Sequence, residues 1–145
     1  MPRTRQAVLP ESVRAALEGV LGEPVGSVRI FEHAVRMRWH GRAVATTRRG
    51  RIYLRGSAAE FFADPWLMLH EYCHVLHQWA PGQLSVPRYL LECLRHGYWN
   101  NRFEIEARAF ADRHRAALHA RLAASAEQRL APVQPPGKQH QQPRH

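Results

Sequence analysis

At 145 residues the chain is bounded to one domain, with room for a modest core and a tail. No stretch is apolar for long enough to span a bilayer, and two cysteines, Cys73 and Cys93, exclude both a disulfide framework and a CxxC zinc pair. Lys and Arg outnumber Asp and Glu by 21 to 12, a formal net charge of +9, which keeps a polyanionic partner in view.

The N-terminal stretch "MPRTRQAVLPESVR" is basic but lacks the apolar run of a secretory leader, so the expected location is cytoplasmic. "PESVRAALEGVLGEP" sets Val13, Leu17, Val20 and Leu21 at helical spacing, with Gly22 as the stop. The period then changes. "SVRIF" and "AVRMRWHGRAVATTRRGRIYLRG" read as extended, with Val35, Met37 and Trp39 alternating with Arg36, Arg38 and His40. His40-Gly41 and Arg49-Gly50 are turn candidates. The expectation is a three- or four-stranded antiparallel meander, apolar toward a core and arginine-rich toward solvent. From His33 to Ala59 there is no acidic residue, while Arg36, Arg38, Arg42, Arg48, Arg49, Arg51 and Arg55 all fall there. No aromatic-interleaved signature accompanies them, so a solvated face is preferred and nucleic acid is not the favoured partner.

The second half reads as helical. Asp64-Pro65 is a cap followed by proline at the first helical position, and that helix carries "HEYCH" before ending at Ala80-Pro81-Gly82. "PRYLLECLRH" makes a shorter helix stopped by Gly97, and a long one starts near Asn100 or Asn101. Residues 1–131 are read as the domain and 132–145 as a disordered Pro/Gln/His-rich tail.

HEYCH, residues 70–74, has the form HExxH. On a helix, His70 and His74 project from one face a turn apart and could each give a ring nitrogen to zinc. Glu71, at the edge of that face, is placed to act as general base on a zinc-activated water. His77 is read as a rim residue. The five residues alone are only moderately specific, and a third ligand is needed. Glu104 and Glu106 lie two apart on the last helix, so only one can face the metal. Glu104 is favoured because it shares a face with Ala107 and Ala111, small enough for two helices to approach closely. Glu106 and neither glutamate remain as alternatives. A capping box from Asn101 to Glu104 competes for the same carboxylate unless the cap is Asn100.

HExxH followed by a helix-borne glutamate resembles the gluzincin zinc metallopeptidases, in which that glutamate stands in an E-x-x-A-x-x-F-A-like setting. Glu104, Ala107, Phe110 and Ala111 match it. "LPESVRAALEGVLGEPVGSVRIFEH", "AVATTRRGRIYLRG" and "WLMLHEYCHVLHQW" are similar to the small HExxH domain of bacterial proteins linked to extracellular contractile injection systems, itself similar to minigluzincins. The resemblance covers about residues 9–118. It implies an α+β, zincin-like minimal metallopeptidase: a short antiparallel sheet, the HExxH helix and a glutamate helix, with zinc on His70, His74 and Glu104. It also implies a peptide or protein substrate pairing with an edge strand, for which "RIYLR", 51–55, stands in the expected place. Tyr98 and His96, with Tyr89 behind them, are candidate oxyanion stabilisers. Gluzincins often place an aspartate four residues after the glutamate; here Arg108 stands there, and Asp112 is the candidate substitute. Two alternatives follow. One is a catalytically weak zinc-containing binding or cargo domain with an injection-apparatus partner, exported as its cargo. The other is a DNA-associated protease of SprT type, a group that takes a third histidine as ligand.

Overall fold

The computed structural model describes residues 3–39, 41–134 and 136, and they form an α+β fold. The order is β1 (Arg5–Ala7), α1 (Glu11–Leu21), β2 (Arg29–Glu32), β3 (Ala45–Arg48), β4 (Arg51–Leu54), α2 (Ala58–Phe62), α3 (Pro65–Cys73), α4 (Val86–His96) and α5 (Arg102–Leu130). α1 ends as expected, with Gly22 at φ 71° donating its N–H to the Glu18 carbonyl. No helix among the described residues is long and apolar enough to cross a membrane.

The sheet is four-stranded, in the order β1-β2-β4-β3, and it is mixed rather than the expected antiparallel meander. β3 and β4 form the hairpin foreseen over Arg49-Gly50, where Gly50 takes φ 67°. β4 then pairs with β2 in parallel, Ile30 opposite Ile52. Residues Val35–Trp39, whose alternation suggested a strand, form a 3-10 turn. The reason is steric and topological. His33 adopts φ 49° and turns the chain out of the sheet, and the Ala34 N–H is already taken by the Leu54 carbonyl. With β1 and β4 on its two sides, β2 has no ladder position left for a strand that follows it, and Met37 instead packs with Ala34, Tyr53 and Phe31 on the outer sheet face. Gly41 lies in a turn; His40 and most of the expected tail lie outside the described residues. β1, unforeseen in the sequence, adds antiparallel to β2.

The inner sheet face carries Ile30, Ile52 and Leu54 against α1, α2, α3 and α5, joined by Leu17, Phe61, Met68, Leu69, Tyr72 and Leu118. Each such side chain contributes about 1.5–3 kcal/mol on burial. α3 runs through this core, with every residue from Met68 to Cys73 buried.

One polar group ties three elements together. Glu32, 5% exposed, accepts the Ala58 N–H at the start of α2 (2.8 Å) and Arg5 Nε from β1 (2.6 Å). The Ala58 N–H and the Arg5 guanidinium hold its carboxyl below the ordinary carboxylate range, against the effect of burial. A folded-state value below the unfolded one stabilises fully above the unfolded range and is lost as pH falls through the lowered value. Glu32→Gln is therefore expected to lower the thermal midpoint at neutral pH, with the gap to wild type closing on acidification below about pH 4. A gap that is constant from neutral to acid pH would contradict this.

Candidate metal centre

α3 is started by Asp64, whose carboxylate accepts the Leu67 N–H (3.0 Å), with Pro65 at its first position. At His74 the helix widens, and His74–Trp79 form a π-helical turn in which Ala80 N–H reaches the Val75 carbonyl. π turns are rare and frequently sit at functional sites. α5 starts at Asn101, not Asn100: its side chain accepts the Phe103 N–H (2.9 Å). The expected competition for Glu104 does not arise, because Glu104 points away from its own cap and into α3.

There it meets both histidines. His70 Nε2 lies 3.0 Å from Glu104 Oε2, His74 Nε2 lies 3.4 Å from Glu104 Oε1, and the two Nε2 atoms are 3.2 Å apart. All three residues are buried, and one ligand atom from each lies within 4.8 Å of the others, so His70, His74 and Glu104 could hold a metal ion. Glu106 is exposed and outside this cluster. Ala107 and Ala111, each 0% exposed, are what let α5 come this close to α3.

Gln78, which the sequence did not single out, fixes the tautomer of His74. Its amide nitrogen donates to the Phe103 carbonyl (2.9 Å), so its oxygen must accept from His74 Nδ1 (2.6 Å). The Nε2 lone pair is then free to face the cluster. Gln78 stands four residues after His74, so helical spacing was the available signal. His70 is supported differently: Trp66 stacks on its ring at 4.9 Å, and Trp66 Nε1 donates to Asp112 Oδ1 (2.8 Å). Asp112 thus reaches His70 only through Trp66, and His70 Nδ1 is buried with no partner. Arg108 is turned away, stacked 4.0 Å over the Trp99 ring and bonded to the Trp99 carbonyl. His77 lies outside the cluster, its ring edge on Phe110.

The cluster forms one wall of a cavity of about 290 Å3, which Glu71 also lines. Burial pushes the Glu71 carboxyl above the ordinary range, opposed by His74 and His70 and reinforced by Glu104. Burial also opposes ionisation of Glu104, but its bonds to His70 and His74 outweigh that and hold it well below the range. Tyr89 donates to Glu104 Oε1 (2.9 Å) and Tyr98 sits 3.4 Å from Oε2. Burial and the Glu104 charge push Tyr98 up to about 12 and Tyr89 higher, so both stay phenols near neutral pH. His96 is exposed and does not line the cavity.

Across the cavity stands β3, with Ala45, Thr47 and Arg48 in its wall, and Trp79 Nε1 bonded to Thr47 Oγ1 (3.1 Å). The edge strand at the site is therefore β3, not 51–55: β4 is internal, hydrogen-bonded on both sides. α4 supplies Val86, Tyr89 and Leu90, and none of its residues is buried.

The helix contact sets a sharp test. Ala107→Leu inserts three carbons where no space exists, and overpacking of this kind costs about 1–3 kcal/mol. Thermal and denaturant unfolding should show that loss, and an unchanged midpoint would mean the two helices are not held in close contact at this residue.

The model of one family, the eCIS core domain, matches residues 8–82, just over half of the chain. No curated protein and no solved structure matches it. The matched span runs from the end of β1 through α3 and its π turn, taking in His70, Glu71, His74 and Gln78 and stopping before Glu104. The chain belongs to the eCIS core domain family, which links it to extracellular contractile injection systems.

Proposed function

We propose that this protein is a zinc-dependent metallopeptidase working in the setting of an injection system. The observation that carries the reading is the meeting of two imidazole nitrogens and a carboxylate beside Glu71 in one buried cavity wall. The donor set fits the metal. Zinc with bonds of about 2.0–2.1 Å in a tetrahedron has ligand–ligand edges of about 3.3 Å. The two imidazole nitrogens, 3.2 Å apart, are close to that edge, and each has one Glu104 oxygen beside it, Oε2 at 3.0 Å from His70 and Oε1 at 3.4 Å from His74.

Zinc, when bound, supplies a Lewis acid that makes hydroxide available near neutral pH. The chain's own groups supply the rest. His70, His74 and Glu104 hold the ion, and Gln78 keeps the His74 proton on Nδ1. Glu71 takes the proton of the attacking water and passes it to the leaving amine. Tyr98, the more loosely held of the two tyrosines, turns its hydroxyl toward the developing oxyanion. The free edge of β3 aligns the substrate backbone across the cavity.

A second reading, a zinc-containing module that binds an apparatus partner without cleaving it, is supported by the family and by α4. Leu90 and Leu94 on that helix are 61% and 84% exposed, an apolar surface suited to docking. Export as cargo fits either reading. The SprT-type alternative calls for a third histidine, whereas the third member of the cluster is Glu104.

Metal analysis and a peptide-library digest separate these. Wild type should carry one zinc per chain, and His74→Ala and Glu104→Ala should lose it. Gln78→Leu should weaken zinc affinity by about 10–100-fold. Glu71→Gln should keep the zinc and lose about 100- to 10,000-fold in hydrolysis. A zinc-free wild type refutes the metal reading; a zinc-loaded wild type that cleaves nothing leaves the binding module.

A further inference from the structure

We propose that an acidic, extended polypeptide segment docks on the free edge of β3 and sets its carboxylates against a row of arginines on the outer face of the sheet. The docked segment is the substrate of the peptidase reading, on which this inference rests.

The row follows from register. Arg29 lies opposite Arg51 across β2 and β4, and Arg51 lies opposite Arg48 across β4 and β3, so the three side chains share one face. With strands about 4.8 Å apart the row spans about 10 Å. Arg36 joins it from the 3-10 turn, 4.7 Å over the ring of Tyr53, and Arg51 Nη1 approaches the Tyr53 hydroxyl at 3.5 Å. Like charges directly opposite are destabilising. Among the described residues, which include every Asp and Glu, none of these four arginines has an acidic side chain in ion-pair range. Burial first, and then the charge of Arg36, lower the pKa of Arg48. An outside carboxylate relieves this repulsion.

The strand edge names the kind of anion. The Arg55 N–H donates to the Val44 carbonyl, so by alternation Ala45 and Thr47 turn their backbone groups outward, to the side where no strand among the described residues pairs. One of those acceptors is covered from within: Arg48 Nη1 donates to the Thr47 carbonyl (2.7 Å). A carboxylate that draws the Arg48 guanidinium toward itself uncovers the Thr47 carbonyl for an incoming N–H. Acidity and strand pairing are thus one recognition event, which a nucleic acid cannot perform. Tyr53 is 8% exposed, under Arg36 and stacked on Phe31, and offers no platform for a base.

The test uses the intact chain carrying Glu71→Gln, so that binding is read without turnover. Fluorescence anisotropy follows a short labelled peptide of alternating Glu and Thr, with Gln-Thr and Lys-Thr peptides, a backbone N-methylated Glu-Thr peptide and single-stranded DNA beside it. The Glu-Thr peptide should bind about tenfold or more tighter than the others, and Arg48→Gln or Arg51→Gln should each cost about tenfold. Arg115→Gln, on the exposed face of α5, should change nothing, and circular dichroism checks that each variant is folded. Equal binding of the Gln-Thr or N-methylated peptide, or tighter binding of DNA, overturns the proposal. Wild type separates the two ideas. Binding of the acidic peptide with no peptide cleaved by the zinc-loaded protein removes the peptidase reading and leaves the docking surface. Cleavage indifferent to acidic residues does the reverse.

Discussion

The contact between α3 and α5 is the constraint on which the candidate site depends. Two alanines with no exposed surface, Ala107 and Ala111, bring the helix axes close enough for a carboxylate on one to touch imidazoles on the other. The start of α5 is further pinned to the π turn by the Gln78–Phe103 bond, and to α4 by Asn101, whose amide reaches the Tyr89 carbonyl at 3.3 Å. Geometry at the cluster is therefore set by helix packing together with side-chain bonds to the backbone beside it.

Much of this was legible in the sequence. HEYCH, the Asp64-Pro65 start, the Gly22 stop and the Ala107/Ala111 face are local signals, and each rests on spacing or on a single residue's backbone chemistry. The misreadings share a different cause. Alternation over Val35–Trp39 has the right period for a strand, but whether a strand forms depends on a free partner, and β4 takes that place. Chain order likewise does not reveal that β4 lies inside the sheet and β3 at its edge. For Gln78 the spacing from His74 is legible but its role is not: an amide carries no metal-ligand signature, and its bond to the Phe103 carbonyl shows what it does.

The family match and the cluster overlap without coinciding. Residues 8–82 contain the two histidines, Glu71 and Gln78, whereas Glu104 and both tyrosines come from α4, α5 and the turn between them. The matched half presents one face of a site, and the remaining helices close it. α4 closes it lightly, with no buried residue of its own. The cavity is bounded on one side by a buried core helix and on the other by an exposed one, which Tyr89 ties to Glu104.

His70, Glu71, His74 and Glu104 are each 6% exposed or less. Sealing ionisable groups together is a poor way to stabilise a domain, and apolar residues of similar shape are often neutral or better by about 1–4 kcal/mol. A cluster of this kind adds little to a fold until a bound group offsets the cost of burying it. Apolar side chains of matching volume at these four positions would cost the fold little, so heat resistance alone is no measure of whether the cluster is intact.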